Sequence, residues 1–366
     1  MWGWDRAGER DTRLVWRGRR PGPETPRRRL AARGCGPVGA TAALAAAICL
    51  SAGGVTRAEP SRLNGFSLEP AAIPVAEIQS GGPPRDGIPA LDHPEAISAR
   101  EAVWDDAEIV LGVVSNGAAR AYPVAILTWH ELVNDTVGGR SILVSYCPLC
   151  GTGIVFDREV EGRKQTFGVS GLLYRSGLLM YDRETESLWS QISAQAVTGP
   201  SLGRRLELVR STMDRWGTWK KAHPETTVLT RNTGHRRDYD RSPYGDYAVS
   251  GRLVFPAPLD GRYHPKMPTV GLRRPGGGVR AYPAVEVERA GGVAAEIFEG
   301  RPVRVAYDAE SEVFRVDAPP EVEVVEGYWF AWAAFHPDTT VFTAGAGPAG
   351  PAIERGASTD REKESP

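Results

Sequence analysis

Net charge is the first thing this chain lacks, since 44 basic residues against 45 acidic ones leave a formal charge of −1 over 366 residues. A nucleic-acid footprint needs a basic patch interleaved with aromatics, so no nucleic-acid partner is expected. Cysteine is scarce, with four residues, and methionine equally so. That excludes a disulfide-dense scaffold. The chain has no Gly-rich phosphate loop, no Gly-x-Ser-x-Gly elbow and no His-Glu-x-x-His pair, because His130-Glu131 is not followed by a second histidine at the required spacing. The signatures of nucleotide binding, serine hydrolysis and zinc proteolysis are therefore all missing. With 41% hydrophobic and 24% charged residues, the chain still has core enough for one large or two modest domains.

A long apolar run occurs near the start. An Arg-rich head, Arg6 to Arg33, precedes an Ala-rich stretch from Gly36 to Gly53 and small residues around Thr56-Arg-Ala58. This is the order of a secretory signal, so residues 1–58 read as a signal peptide or N-terminal anchor, and the protein as exported, periplasmic or extracellular, or held at the membrane. Cleavage would remove Cys35 and Cys49. Cys147 and Cys150 would then remain in a compartment that permits disulfides. The Pro- and Gly-rich residues 59–100 read as an extended lead-in. Residues 345–366, rich in Gly, Pro and charge, read as a disordered tail.

Between these ends the chain resembles itself. Ala121-Tyr-Pro123 matches Ala281-Tyr-Pro283, and the apolar, β-branched run Gly139 to Tyr146 matches Gly300 to Tyr307. Trp216-x-x-Trp219-x-x-x-His223-Pro matches Trp329-x-x-Trp332-x-x-x-His336-Pro. The tyrosine-to-histidine spacing is 77 residues in the first copy (146 to 223) and 29 in the second (307 to 336), so the first carries an insertion of 48. The expected fold is α+β, mainly β, with two degenerate internal repeats of strand–helix–β-hairpin type. Copy one spans 101–230 with the long insertion, a connector rich in Arg, Asp and Tyr spans 231–268, and copy two spans 269–344. Helices are expected only near 123–134 and 212–222.

The copies diverge where chemistry is most visible. After Tyr146 comes Cys147-Pro-Leu-Cys150-Gly151, whereas after Tyr307 comes Asp308-Ala-Glu-Ser-Glu312. What one copy keeps and the other lacks points to function rather than scaffold. A Cys-x-x-Cys closed by glycine between two strands resembles the metal-binding knuckle of rubredoxins and zinc ribbons, whose tight turn aims both thiolates at one ion. Such folds use two knuckles and this chain has one, so the other ligands must come from elsewhere. His130 and Met180, which have no duplicate, are the candidates. Two thiolates, an imidazole and a thioether form a soft set that favours copper, for electron transfer or metal delivery. Zinc is the alternative, held by both thiolates, His130 and a water or carboxylate. His223 and His336 occur in both copies and read as helix-terminal packing residues.

Two further functions stay open. Cys147 and Cys150 would serve as nucleophile and resolving thiol of a thiol–disulfide oxidoreductase, although Gly151-Thr-Gly153 leads into a strand and not the helix usual after such a motif. Alternatively, a structural disulfide staples a non-catalytic binding module. The partner is in either case an unidentified protein or small molecule of the cell envelope. Within the insertion, Met180 also reads as core filler, Asp182-Arg-Glu184 as a solvated turn and Trp189-Ser-Gln191 as a pocket wall.

His130-Glu-Leu-Val-Asn-Asp135, Tyr146-Cys-Pro-Leu-Cys-Gly-Thr152, Leu179-Met-Tyr-Asp-Arg183, Leu188-Trp-Ser-Gln191 and Trp219…His223-Pro together resemble the bacterial family known as domain of unknown function 3179. The resemblance covers most of 85–340. It implies the domain assignment and export, and it assigns no reaction.

Overall fold

A computed structural model describes residues 61–345. The expected signal or anchor, Cys35, Cys49 and almost all of the expected tail lie outside the described residues. Among the described residues no helix is long and apolar enough to cross a membrane.

The protein is mainly β, with short helices set between strands. In the first half, Ile109–Ser115 and Ala118–Pro123 pair antiparallel around Asn116-Gly117, which have φ of 48° and 80°. This is the Asn-Gly tight turn whose twist suits a hairpin. Pro123 then starts α1 (Val124–His130), its fixed φ already close to helical. Leu132–Val137, Arg140–Cys147 and Thr152–Asp157 follow as a three-stranded meander. Much later, Ser211–Arg215 returns to pair with Ile109–Ser115, α2 (Trp216–Ala222) follows, and Thr227–Leu229 pairs parallel with Ala118–Pro123.

The second half has the same order of elements and partners. Pro268–Arg273 pairs with Val279–Pro283, α3 (Ala284–Arg289) leads to the meander Val293–Phe298, Arg301–Asp308 and Val313–Asp317, and Glu323–Tyr328 returns to Pro268–Arg273. Then α4 (Trp329–Phe335) precedes Thr340–Val341, which pairs parallel with Val279–Pro283.

One packing device recurs in both halves. A Cβ on Gly112 would lie 2.3 Å from the Trp219 ring, and one on Gly271 would lie 2.2 Å from Trp332. Only glycine lets each indole lie flat on its strand. Trp219 Nε1 donates to Thr226 Oγ1 at 3.0 Å and Trp332 Nε1 to Thr339 Oγ1 at 2.9 Å. His223 and His336 lie against those indoles with ring centroids 4.1 Å apart.

Gly153 pairs with Glu326, so a nine-stranded sheet continues from one half into the other. The insertion forms most of a separate five-stranded sheet. Ile78–Ser80 supplies the edge of that sheet, while Leu91–Asp92 joins Leu132–Val137 and Ala96–Ser98 joins Thr227–Leu229. The expected lead-in is thus woven into the sheets. The helices also differ from expectation. The first ends at His130 because Glu131 takes φ +58° and the chain turns into a strand, and residues 211–215 are strand because they pair with 109–113. α3 and α4 lie outside the two stretches named for helices, although the strand–helix–hairpin repeat and the helix-terminal reading of His336 anticipate them.

Candidate functional site

Cys147 ends one strand and pairs across the hairpin with Thr152. The intervening turn closes through Cys150 N–H donating to Cys147 O at 3.1 Å, and Gly151 adopts φ +60°. Glycine is required there twice over, because a Cβ would also lie 2.8 Å from the Tyr328 ring. The turn is gripped from the second half, where Tyr328 N–H donates to Cys150 O at 2.8 Å. Gly327 makes that approach feasible, since a Cβ there would lie 2.1 Å from Thr152 Oγ1.

Both cysteines are free thiols and both are buried, Cys147 at 2% exposure and Cys150 at 0%. Cys150 Sγ donates to Ser176 O at 3.4 Å. Burial pushes the Cys150 thiol well above its ordinary range, and the hydrogen-bonded Cys147 side chain raises it further, as does charge on Cys147 and Glu131. One tight turn therefore carries both thiols. Tyr146, Tyr244, Tyr247 and Tyr328 surround them. Each hydroxyl is shifted up by burial, that of Tyr328 to about 12, with the charge on the cysteines adding to the shift in all four.

Glu131 closes one side of this cluster. Its positive φ lets its carbonyl accept from Tyr146 N–H at 2.7 Å while its N–H still caps α1 through Leu127 O at 2.7 Å. A non-glycine residue at such an angle costs on the order of 1–3 kcal/mol, which the surrounding structure must offset. The carboxyl is buried, and burial raises its pKa to about 7 against the opposing hydrogen bond that Tyr244 Oη donates at 3.3 Å.

Of the expected metal ligands, His130 has both ring nitrogens engaged elsewhere. His130 is fully buried, but Nδ1 lies 2.8 Å from Pro89 O and Nε2 lies 2.7 Å from Tyr239 Oη. A carbonyl only accepts, so Nδ1 carries the proton, and Nε2 accepts from Tyr239, which is itself 2.5 Å from Thr233 Oγ1. Burial lowers the imidazole pKa to about 4. Both ring nitrogens are thus engaged away from the sulfurs. Met180 is fully buried beside its strand partner Trp189, in the same apolar cluster as the cysteines. Among the described residues no three His, Cys, Asp or Glu side chains are grouped to hold a metal ion.

The insertion differs from expectation as well. Asp182 is not part of a solvated turn: it is fully buried and accepts from Trp189 Nε1 at 2.7 Å. Trp189 and Gln191 are packed inside rather than set at an open wall. Both are buried, and Gln191 Nε2 donates to Ser145 Oγ at 3.0 Å and Thr152 O at 3.1 Å, bracing the strands beside the cysteine turn. Glu131, Tyr244, Tyr247 and Tyr328 are the site residues that sequence reasoning missed. The Tyr-rich composition of the connector was the available signal for two of them.

A sequence model for a family described as protein of unknown function, DUF3179, matches residues 85–320. No curated protein and no solved structure matches the chain.

Proposed function

This chain belongs to the domain of unknown function 3179 family, which assigns no chemistry, and from its own site we propose that Cys147 and Cys150 form a reversible dithiol–disulfide pair. The observation that carries this reading is that one tight turn, closed by Cys150 N–H on Cys147 O at 3.1 Å, holds two free thiols. Cys147 is the attacking sulfur, since Cys150 is the more deeply buried and its thiol is held protonated. The Cys147 thiolate attacks one sulfur of a partner disulfide, whose S–S bond breaks and releases one partner thiolate. Cys150, giving up its proton, attacks Cys147 in the mixed disulfide and expels the second partner sulfur. The cysteines are oxidised, the partner disulfide is reduced, and the two cysteine protons end on the two partner thiols. Export, expected from residues 1–58, would place the pair in a compartment where such exchange operates.

Treatment with oxidised glutathione tests this. The wild type should form an internal disulfide, Cys150→Ser should accumulate glutathione on Cys147, and Cys147→Ser should stay largely unmodified. Absence of any reaction in all three proteins, each folded, would refute the pair.

A soft metal is the second reading, favoured by two free thiols within one tight turn. His130 does not fit as a ligand, so the donor set reduces to both thiolates with Met180 as a third, which suits copper(I) better than zinc. Stoichiometric copper(I) binding, lost in both serine variants, would support it. We also read the two halves as degenerate copies of one unit, supported by their common pairing order and their glycine–tryptophan contacts.

A further inference from the structure

We propose that residues 244–258 of the connector are a lid over the cysteine pair, latched by Lys266, and that lifting it is what admits a partner disulfide. The inference rests on the redox reading of Cys147 and Cys150. Between Leu229 and Pro268 the chain contains no strand and only one short helical turn, Tyr247–Val249, so the segment has no sheet pairing of its own. It is attached inward by side-chain tips. Tyr244 Oη donates to Glu131, and Tyr247 Oη donates at 3.0 Å to Leu149 O, the carbonyl between the two cysteines. Leu253, Phe255 and Ala257 pack on the apolar cluster that contains both sulfurs. Outward, Val249 and Val254 are 51% and 61% exposed, so the segment leaves part of its own apolar surface unburied.

The latch sits on the frame rather than on the lid. Next to Lys266, Trp329 N–H donates to Met267 O at 2.9 Å and Phe330 N–H to Pro265 O at 2.8 Å, which ties this stretch to α4. From there the buried ammonium reaches back across the lid. It donates to Tyr247 O, to Ser250 O at 2.5 Å and to Arg252 O at 2.9 Å, and lies 3.3 Å from the centroid of the Tyr247 ring. All three N–H bonds of one lysine therefore hold one loop, and the residue that loop presents inward touches the cysteine turn. A segment held by side-chain tips over a core opens at lower free energy than the sheets beneath it.

The test uses the full chain and an aromatic disulfide reagent that releases a coloured thiolate. In the wild type the two thiols should react at a rate that stops rising with reagent concentration, because lid opening limits it. Lys266→Met should raise that limiting rate by on the order of tenfold or more, and Tyr247→Phe by less. Val305→Ala, which weakens the core of the second half, should lower the unfolding midpoint without raising the rate. Wild-type thiols that react as fast as free cysteine would overturn the lid while leaving the redox reading intact. A Lys266→Met rate that rises no more than that of Val305→Ala would overturn the latch. Thiols that become accessible in Lys266→Met yet form no disulfide with oxidised glutathione would sink the redox reading and leave the lid standing.

Discussion

The two halves make the same contacts with opposite results at their hairpin turns. In the second half, Tyr328 precedes the Trp-bearing helix and presses on Gly151 of the first half's cysteine turn. In the first half, Arg215 occupies the same place and donates to Ser311 O at 3.2 Å and Glu310 O at 3.3 Å, in the turn where the second half has Asp308 to Glu312. Each half thus braces the other's hairpin. Where the braced turn is acidic it lies at the surface, and where it holds two cysteines it is sealed by the tyrosine, the connector and the insertion. The two halves share their order of pairing and differ most at the turn that holds the cysteines.

The shared part should respond equally in both halves. Trp219→Ala and Trp332→Ala each remove a nearly buried indole resting on glycine, and each should cost roughly 3–5 kcal/mol in denaturant unfolding. A loss confined to one half would show that the common packing does not carry equal weight in the two.

Glu131 breaks the equivalence, because the residue that follows α1 is a buried glutamate whereas the one that follows α3 is Ala290. Its folded pKa of about 7 lies above the ordinary 4.5, so the folded state holds the proton more tightly. The stability this contributes is fully present below pH 4.5 and is lost as pH rises through 7. Glu131→Gln should therefore gain on the wild type across that window, by at most roughly 3 kcal/mol. Denaturation midpoints between pH 4.5 and 8 check it, and a constant difference would contradict the burial. His130 works in the other direction. Its folded pKa of about 4 lies below 6.5, so its contribution is present above 6.5 and is lost as pH falls toward 4.

The reciprocal braces give the smallest and most selective effect. Tyr328→Ala and Arg215→Ala should each cost on the order of 1–2 kcal/mol. Only the former should quicken thiol modification, since only that brace bears on the cysteines. Equal reactivity in the two variants would break the contrast between the turns.

Much of the scaffold was legible because it is local. The strand running up to Tyr146, the strand resuming by Ile154 and the paired tryptophan–histidine segments follow from β-branched runs, glycine turns and spacing. The site was legible only in its sulfurs. His130 is drawn away by Tyr239, 109 residues later, and by Pro89, 41 residues earlier, and such long-range partners leave no trace in spacing. Glu131 owes its place to a backbone angle that no side-chain pattern encodes. Asp182 looked solvated because its neighbours are charged, whereas Trp189 and Thr185 fold over it.

The most direct measurement is an equilibrium titration of the folded chain in glutathione buffers of graded ratio, with free thiols trapped by alkylation and counted by mass, and the fold followed by near-ultraviolet circular dichroism. A reversible exchange of both thiols for one internal disulfide, with tertiary structure retained on each side, is the predicted result. Cysteines that stay reduced at every ratio, or that join only when the fold is lost, would contradict a working redox pair.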